Sequence, residues 1–236
     1  MYSQERVNWW RERTLDPAHQ QAYNRVAEKV PKKGGRFLDI GCGTGEVLKR
    51  IWNDTKYQFY IGIDATKEMI DLAQENLRDS GISPQVVVRV GHSIPKHSKK
   101  MLLMKDNFLD SKIPLNYADT STLTFPEVLT EIRDSQMNKF GPNEWAFLRE
   151  AVYRGLVRRT KIGGRVISMV YDVDYKNPEK EKNHLDDVVN AAFLFRGLKL
   201  ESHKFFESQD VWGDTEGQLR LGEIPGYRIF VSTRIK

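Results

Sequence analysis

Cysteine is nearly absent from this chain: Cys42 is the only one in 236 residues. No internal disulfide can form, and a lone thiol suits a reducing compartment, so a cytoplasmic location is expected. Long apolar runs are missing too. None approaches the roughly 18 residues of a membrane-spanning helix, which argues against membrane insertion. The opening Met1-Tyr2-Ser3-Gln4-Glu5-Arg6 lacks the basic start and apolar segment of a secretory signal. His19, His92, His97, His184 and His203 show no ligand-like spacing, so no metal centre is expected. No internal repeat or low-complexity tract interrupts the chain.

What is present is ordinary for a globular protein, with 39% hydrophobic and 29% charged residues. The length suits one α/β domain built on a single core. Residues 1–33 read as an N-terminal helical cap and 34–236 as the sheet-forming core. A net charge of +5 permits an anionic partner without requiring one.

The chain is organised around Phe37-Leu38-Asp39-Ile40-Gly41-Cys42-Gly43-Thr44-Gly45-Glu46-Val47-Leu48. A short apolar run ends in glycines at alternate positions and opens into an amphipathic stretch. That pattern predicts a strand, a tight turn and a helix start. A backbone bare of side chains lets a ligand lie against main-chain N–H groups at the head of the helix. A dinucleotide site would need a glycine where Glu46 stands, and a phosphate-binding loop would need a following Gly-Lys-Ser/Thr. About 20 residues on, Phe59-Tyr60-Ile61-Gly62-Ile63-Asp64 repeats the buried-strand pattern and ends in a carboxylate. Met69, Ile70, Ala73 and Leu77 then share one helical face. Lys161-Ile162-Gly163-Gly164-Arg165-Val166-Ile167 is a third landmark, a glycine turn leading into an apolar strand.

In order and spacing these three segments resemble the class I methyltransferases that use S-adenosylmethionine (SAM). The resemblance spans residues 36 to 171. It implies a Rossmann-like α/β fold: an open, mostly parallel sheet with helices on both faces and an antiparallel last strand. It also implies SAM as cofactor and S-adenosylhomocysteine (SAH) as product. Carried over residue by residue, Gly41, Cys42, Gly43 and Gly45 form the cofactor bed. Asp39 holds the amino-acid end and Asp64, followed by Ala65, accepts the ribose hydroxyls. Two segments compete for the third strand, 86–92 and 101–108. Asp106 or Asn107 after the second suits the adenine amino group better than His92 after the first.

Asp119-Thr120-Ser121-Thr122-Leu123-Thr124-Phe125-Pro126-Glu127 reads as the fourth strand with its exit loop. Ligands bind beyond the carboxyl ends of such strands, so Thr124 is expected beside the cofactor and Phe125 and Pro126 beside the acceptor. The loop is not the Asn-Pro-Pro-Tyr signature of family members that methylate planar amino nitrogens. Tyr171 after the fifth strand and Trp212 in a long later loop are further acceptor candidates. A general base is needed only if the acceptor is protonated, and Glu127, Asp172 and His203 are the candidates. A helix-cap or surface role explains each equally well. Asn53-Asp54 and Ser80-Gly81 are expected to end the first two sheet helices, and Leu198–Phe206 and Gly226–Ile235 to form two final strands. The basic run Arg89, Lys96, His97, Lys99 and Lys100 reads as a solvated turn, since it lacks the interleaved aromatics that stack unpaired bases.

A small-molecule acceptor leads, because nothing in the chain reads as an appended domain for gripping a macromolecule. RNA or protein methylation, an aminopropyl transferase of the same fold, and a non-catalytic SAM-binding protein are the alternatives.

Overall fold

The computed structural model describes residues 4–88, 99–107, 113–124, 153–171, 197–207 and 226–236. Two helices precede the sheet: α1 (Gln4–Leu15) and α2 (Pro17–Lys29). Asp16 separates them, and its carbonyl accepts from Gln20 N at 3.0 Å. Pro17 stands at a first helical position, where no intrahelical N–H is needed. Ala22, Tyr23 and Val26 are buried on the inner face of α2, and Val30 just beyond its end is buried with them.

The chain continues through β1 (Lys33–Ile40), α3 (Glu46–Asp54), β2 (Lys56–Asp64), α4 (Lys67–Asp79), β3 (Gln85–Val86), β4 (Lys100–Lys105) and β5 (Ala118–Thr124). After a helical turn at 153–159 come β6 (Thr160–Tyr171), β7 (Leu198–Glu207) and β8 (Gly226–Arg234). They form one sheet in the order β3-β4-β2-β1-β5-β6-β8-β7. Pairing is parallel from β3 to β6, and β8 runs antiparallel to both β6 and β7. Phe37 on β1 faces a core with α2, α3 and α4. Leu38 and Ile40 face the opposite side, where Tyr153 and Leu156 cover them.

The competition for the third strand is decided for the second segment. β4 lies directly against β2, and Gln85–Val86 is a two-residue strand outside it. Met101 to Met104 are all buried and need neighbours on both sides. Val86 and Val88 are 51% and 87% exposed, as an edge position allows. The remainder of the first segment, His92 included, lies outside the described residues.

Two boundaries differ from the sequence reading. α3 continues through Asn53 and Asp54, and the chain turns at Thr55, whose N–H and hydroxyl both donate to Ile51 O, at 3.0 and 2.7 Å. Gly163-Gly164 does not precede the fifth strand but lies within it. The register jumps from Ala118↔Thr160 to Thr120↔Arg165, and Gly163 has φ +79°, so the pair forms a bulge. The helix end at Ser80-Gly81 agrees, with Gly81 at φ +75°. None of the described helices is long and apolar enough to cross a membrane.

Candidate active site

β1 has β2 on one side and β5 on the other, so successive connections leave in opposite directions. A crevice forms at such a switch point, beyond the carboxyl ends of the strands. Gly41 follows β1 there, Asp64 ends β2, Asp106 follows β4 and Thr124 ends β5. Gly41, Gly43 and Gly45 have φ of +64°, +49° and +78°, the left-handed region closed to most side chains. A Cβ on Gly41 or Gly43 would meet nothing within 4 Å, whereas one on Gly45 would stand 3.3 Å from Ala73 Cβ. The first two thus leave bare backbone facing open space, and the third packs α3 against α4.

Three loop N–H groups expected to face a ligand are already engaged. Cys42 N donates to Ile63 O at 2.9 Å and Gly45 N to Cys42 O at 2.8 Å. Gly43 N donates to Asp64 Oδ2 at 3.1 Å. The loop therefore presents a smooth surface pinned from behind, not a row of free donors. Cys42 is buried, its sulfur 2.9 Å from where a Cβ on Gly62 would stand. Burial, with Asp64 and Asp39 nearby, raises its thiol pKa well above the ordinary value, so it packs as a neutral group and is no nucleophile.

Three acidic residues ring the loop. Asp39 is 1% exposed; its Oδ1 accepts from Thr122 Oγ1 at 2.7 Å, while its buried Oδ2 has no partner. Burial pushes its carboxyl up to about 7, against the Thr122 hydrogen bond and with help from the Asp64 charge. Asp64 is half-buried. Its Oδ1 accepts from Thr66 N at 3.0 Å and Thr66 Oγ1 at 3.1 Å, complementing the Gly43 bond on Oδ2. Burial raises its pKa, and those bonds oppose the rise. Asp106 N donates to Asp64 O at 2.9 Å, which sets the exit of β4 beside the end of β2.

A buried polar network clamps the loop from the N-terminal helices, and sequence reading missed it. Glu46, 3% exposed, pairs through Oε2 with Arg50. Its Oε1 accepts from Asn76 Nδ2 at 2.7 Å, and the same amide donates to Thr44 O at 2.9 Å. Arg50 NH2 donates to Gln20 Oε1 at 2.5 Å, and Gln20 Nε2 donates to Thr14 O. Thr44 Oγ1 then donates to Thr14 Oγ1 at 3.1 Å. The only sequence signal was negative: a glutamate where a dinucleotide loop would carry glycine.

A family model described as a methyltransferase domain matches residues 31–209. The chain belongs to the methyltransferase domain family. Its methyl donor is SAM, and the fit is visible in the bare loop and in the orphaned buried oxygen of Asp39. One similar solved structure is a complex between the Haloferax volcanii Trm112 methyltransferase activator and a methyltransferase. It has 12% identity and a TM-score of 0.61 over 95% of this chain and 92% of that one. Magnesium protoporphyrin IX methyltransferase from Synechocystis, with bound SAH, gives 12% identity and 0.59 over 92% and 83%. Geranyl diphosphate C-methyltransferase from Streptomyces coelicolor gives 12% and 0.57 over 92% and 79%. No curated protein matches the sequence.

In this methyltransferase the structure brings Asp39, Gly41, Cys42, Gly43, Gly45, Asp64, Ala65, Asp106, Asn107 and Thr124 to one end of the sheet. Tyr171 ends β6 at that same end, paired with Tyr227. His203 is not brought there. It is exposed on β7, four strands along from β1, or about 19 Å at the usual strand spacing. Phe125, Pro126, Glu127, Asp172 and Trp212 lie outside the described residues, as do Arg89, Lys96 and His97. Lys99 departs from the solvated-turn reading: its ammonium donates to Trp52 O and lies 4.1 Å from the Trp52 ring centroid.

Proposed function

We propose that this methyltransferase acts on a small-molecule acceptor. The observation that carries the cofactor half is the pairing of a bare glycine loop with two carboxylates of different exposure. SAM supplies a methyl carbon already bonded to a positively charged sulfur, so transfer is a direct displacement governed by alignment. The chain's part is to bind and orient. The unpartnered Oδ2 of Asp39 would accept from the donor's ammonium group. Asp64 retains lone pairs on both oxygens and would accept the two ribose hydroxyls, and Asp106 would accept from the adenine amino group. The bare surface of Gly41 and Gly43 would let the amino-acid end lie close to the loop. The acceptor would sit toward β5 and β6, beyond Thr124 and Tyr171. We take residues 1–236 as one domain, with 1–33 as its helical cap, because α2 shares a core with α3 and the sheet.

Support for a small acceptor comes from neighbours whose names specify magnesium protoporphyrin IX and geranyl diphosphate. The neighbour solved with the Trm112 activator favours a second reading, in which a macromolecule is methylated with an activator's help. Incubating the protein with SAM and a small-molecule extract, then RNA and protein fractions, separates the two. SAH formation with a one-methyl mass gain confined to the small-molecule fraction supports the first. A gain confined to RNA or protein refutes it.

A further inference from the structure

We propose that Arg25 and Lys204 form an oxyanion clamp, so that the methyl acceptor carries a carboxylate or a phosphate group. The proposal rests on the small-acceptor reading and narrows it to anionic compounds. Arg25 projects from α2 and lies with its guanidinium carbon 4.0 Å from the Phe206 ring centroid. Its NH1 donates to Tyr227 Oη at 3.1 Å. Lys204 Nζ lies 5.1 Å from the same ring centroid, so the two cations stand within about 9 Å of each other. Neither has a carboxylate partner among the described residues. A guanidinium offers five donors in a planar fork suited to carboxylate and phosphate, and here a single neutral hydroxyl occupies one of them.

A guanidinium that only shielded aromatic carbon would need no second cation over the same ring. Two like charges held within that limit repel each other, and an oxyanion in reach of both is attracted by both. The position fits an acceptor. Phe206 pairs with Tyr227, and Tyr227 with Tyr171 at the carboxyl end of β6, the end that carries the glycine loop. Lys204 and Phe206 lie on β7, four strands from β1, about 19 Å at the usual spacing. That separation suits an acceptor whose reactive atom lies near the donor and whose charged end lies farther along the sheet. α2 spans both places. Gln20 joins the network behind the loop, and Arg25 follows about 8 Å further along the helix.

The test titrates SAH-loaded protein with inorganic phosphate and, separately, with succinate, at fixed ionic strength and by calorimetry. The parent should bind at least one of them with a millimolar dissociation constant. Preference for phosphate marks a phosphate-ester acceptor, and preference for succinate marks a carboxylic acid. Arg25→Gln and Lys204→Gln should each weaken that binding at least about fivefold, and Arg25→Lys less, with SAH affinity unchanged in all three. Lys204 is exposed, so its variant remains informative even if Arg25→Gln misfolds. Absence of binding of either anion by the parent, or equal binding by parent and Lys204→Gln, overturns the clamp. Loss of SAH binding by the parent would instead refute the cofactor assignment.

Discussion

Replacing Asp39 by Asn should make the apo protein more stable relative to the parent as pH rises, while weakening its hold on the cofactor. The buried carboxyl has its pKa pushed from 3.8 to about 7, a rise worth roughly 4 kcal/mol at about 1.36 kcal/mol per pH unit. Between those values the folded state holds a proton that the unfolded state has released, so stability falls as pH rises. His19 works in the opposite direction. It is buried, and desolvation, with the Arg13 charge, lowers its pKa from 6.5 to about 3. Its contribution of roughly 5 kcal/mol is present above pH 6.5 and is lost as pH falls toward 3. In the parent the two slopes oppose each other between about pH 4 and 6.5. Asn keeps the acceptor for Thr122 Oγ1 but has no charge to bury, so the variant should show the His19 slope uncovered. Urea unfolding followed by tryptophan fluorescence from pH 4 to 8.5 measures this. The stability difference, variant minus parent, should grow by up to about 4 kcal/mol across that range. A difference that stays flat with pH would refute both the buried-carboxylate cost and its proposed relief by a ligand ammonium.

Four further outcomes follow from the same geometry. Binding of SAH at pH 7 should release protons in the parent and not in Asp39→Asn, seen as a dependence of binding enthalpy on buffer ionisation heat. Asp64→Ala should reduce SAH affinity by roughly 1.5–3 kcal/mol, the scale of hydrogen bonds to a charged group; an unchanged dissociation constant in a folded variant would remove Asp64 from the ribose role. Glu46→Ala should cost about 3–5 kcal/mol of unfolding free energy, because it leaves the largely buried Arg50 guanidinium without its counter-charge. Gly62→Ala should cost about 1–3 kcal/mol by overpacking, since its Cβ would stand 2.6 Å from Leu48 Cδ1; calorimetric melting would expose a harmless substitution.

Much of the fold is legible because its signals are local. The turn at Gly41, Gly43 and Gly45 needs φ values that glycine alone adopts freely, and short, nearly continuous apolar runs mark β1 and β2 without reference to distant chain. The candidate site is legible in part for the same reason: Asp39 and Asp64 end or flank strands that the pattern already defines. The choice between 86–92 and 101–108 was not legible, since both are apolar runs of strand length. It turns on which run can be buried on both faces, a property of the assembled sheet. The bulge at Gly163-Gly164 was read as a turn because glycine pairs serve both purposes. Thr122 escaped notice as the partner of Asp39, 83 positions further along the chain. Gln20 and Glu46, 26 residues apart, belong to different helices whose approach no periodicity reports.

Glu46 shows how a departure from one motif becomes the support of another. In a dinucleotide loop the third glycine allows the helix to approach the strand closely. Here close approach is provided one strand away, where Gly62 leaves room for Leu48 and Cys42, and by the contact of Gly45 with Ala73. Position 46 is thereby released from the steric demand and can carry a side chain that reaches sideways. Its carboxylate, with Arg50 and Asn76, ties the first turn of α3 to α2 and α4. Asn76 also bonds the carbonyl of Thr44, and the Thr44 hydroxyl meets that of Thr14. The glycine loop is conformationally permissive by composition, so its single geometry must be imposed from outside. Asp64 imposes it from the sheet side through Gly43, and the Glu46 network imposes it from the helix side. The segment ahead of the first strand is thus part of what shapes the glycine loop, and the same helix that braces it carries Arg25 toward the proposed acceptor end.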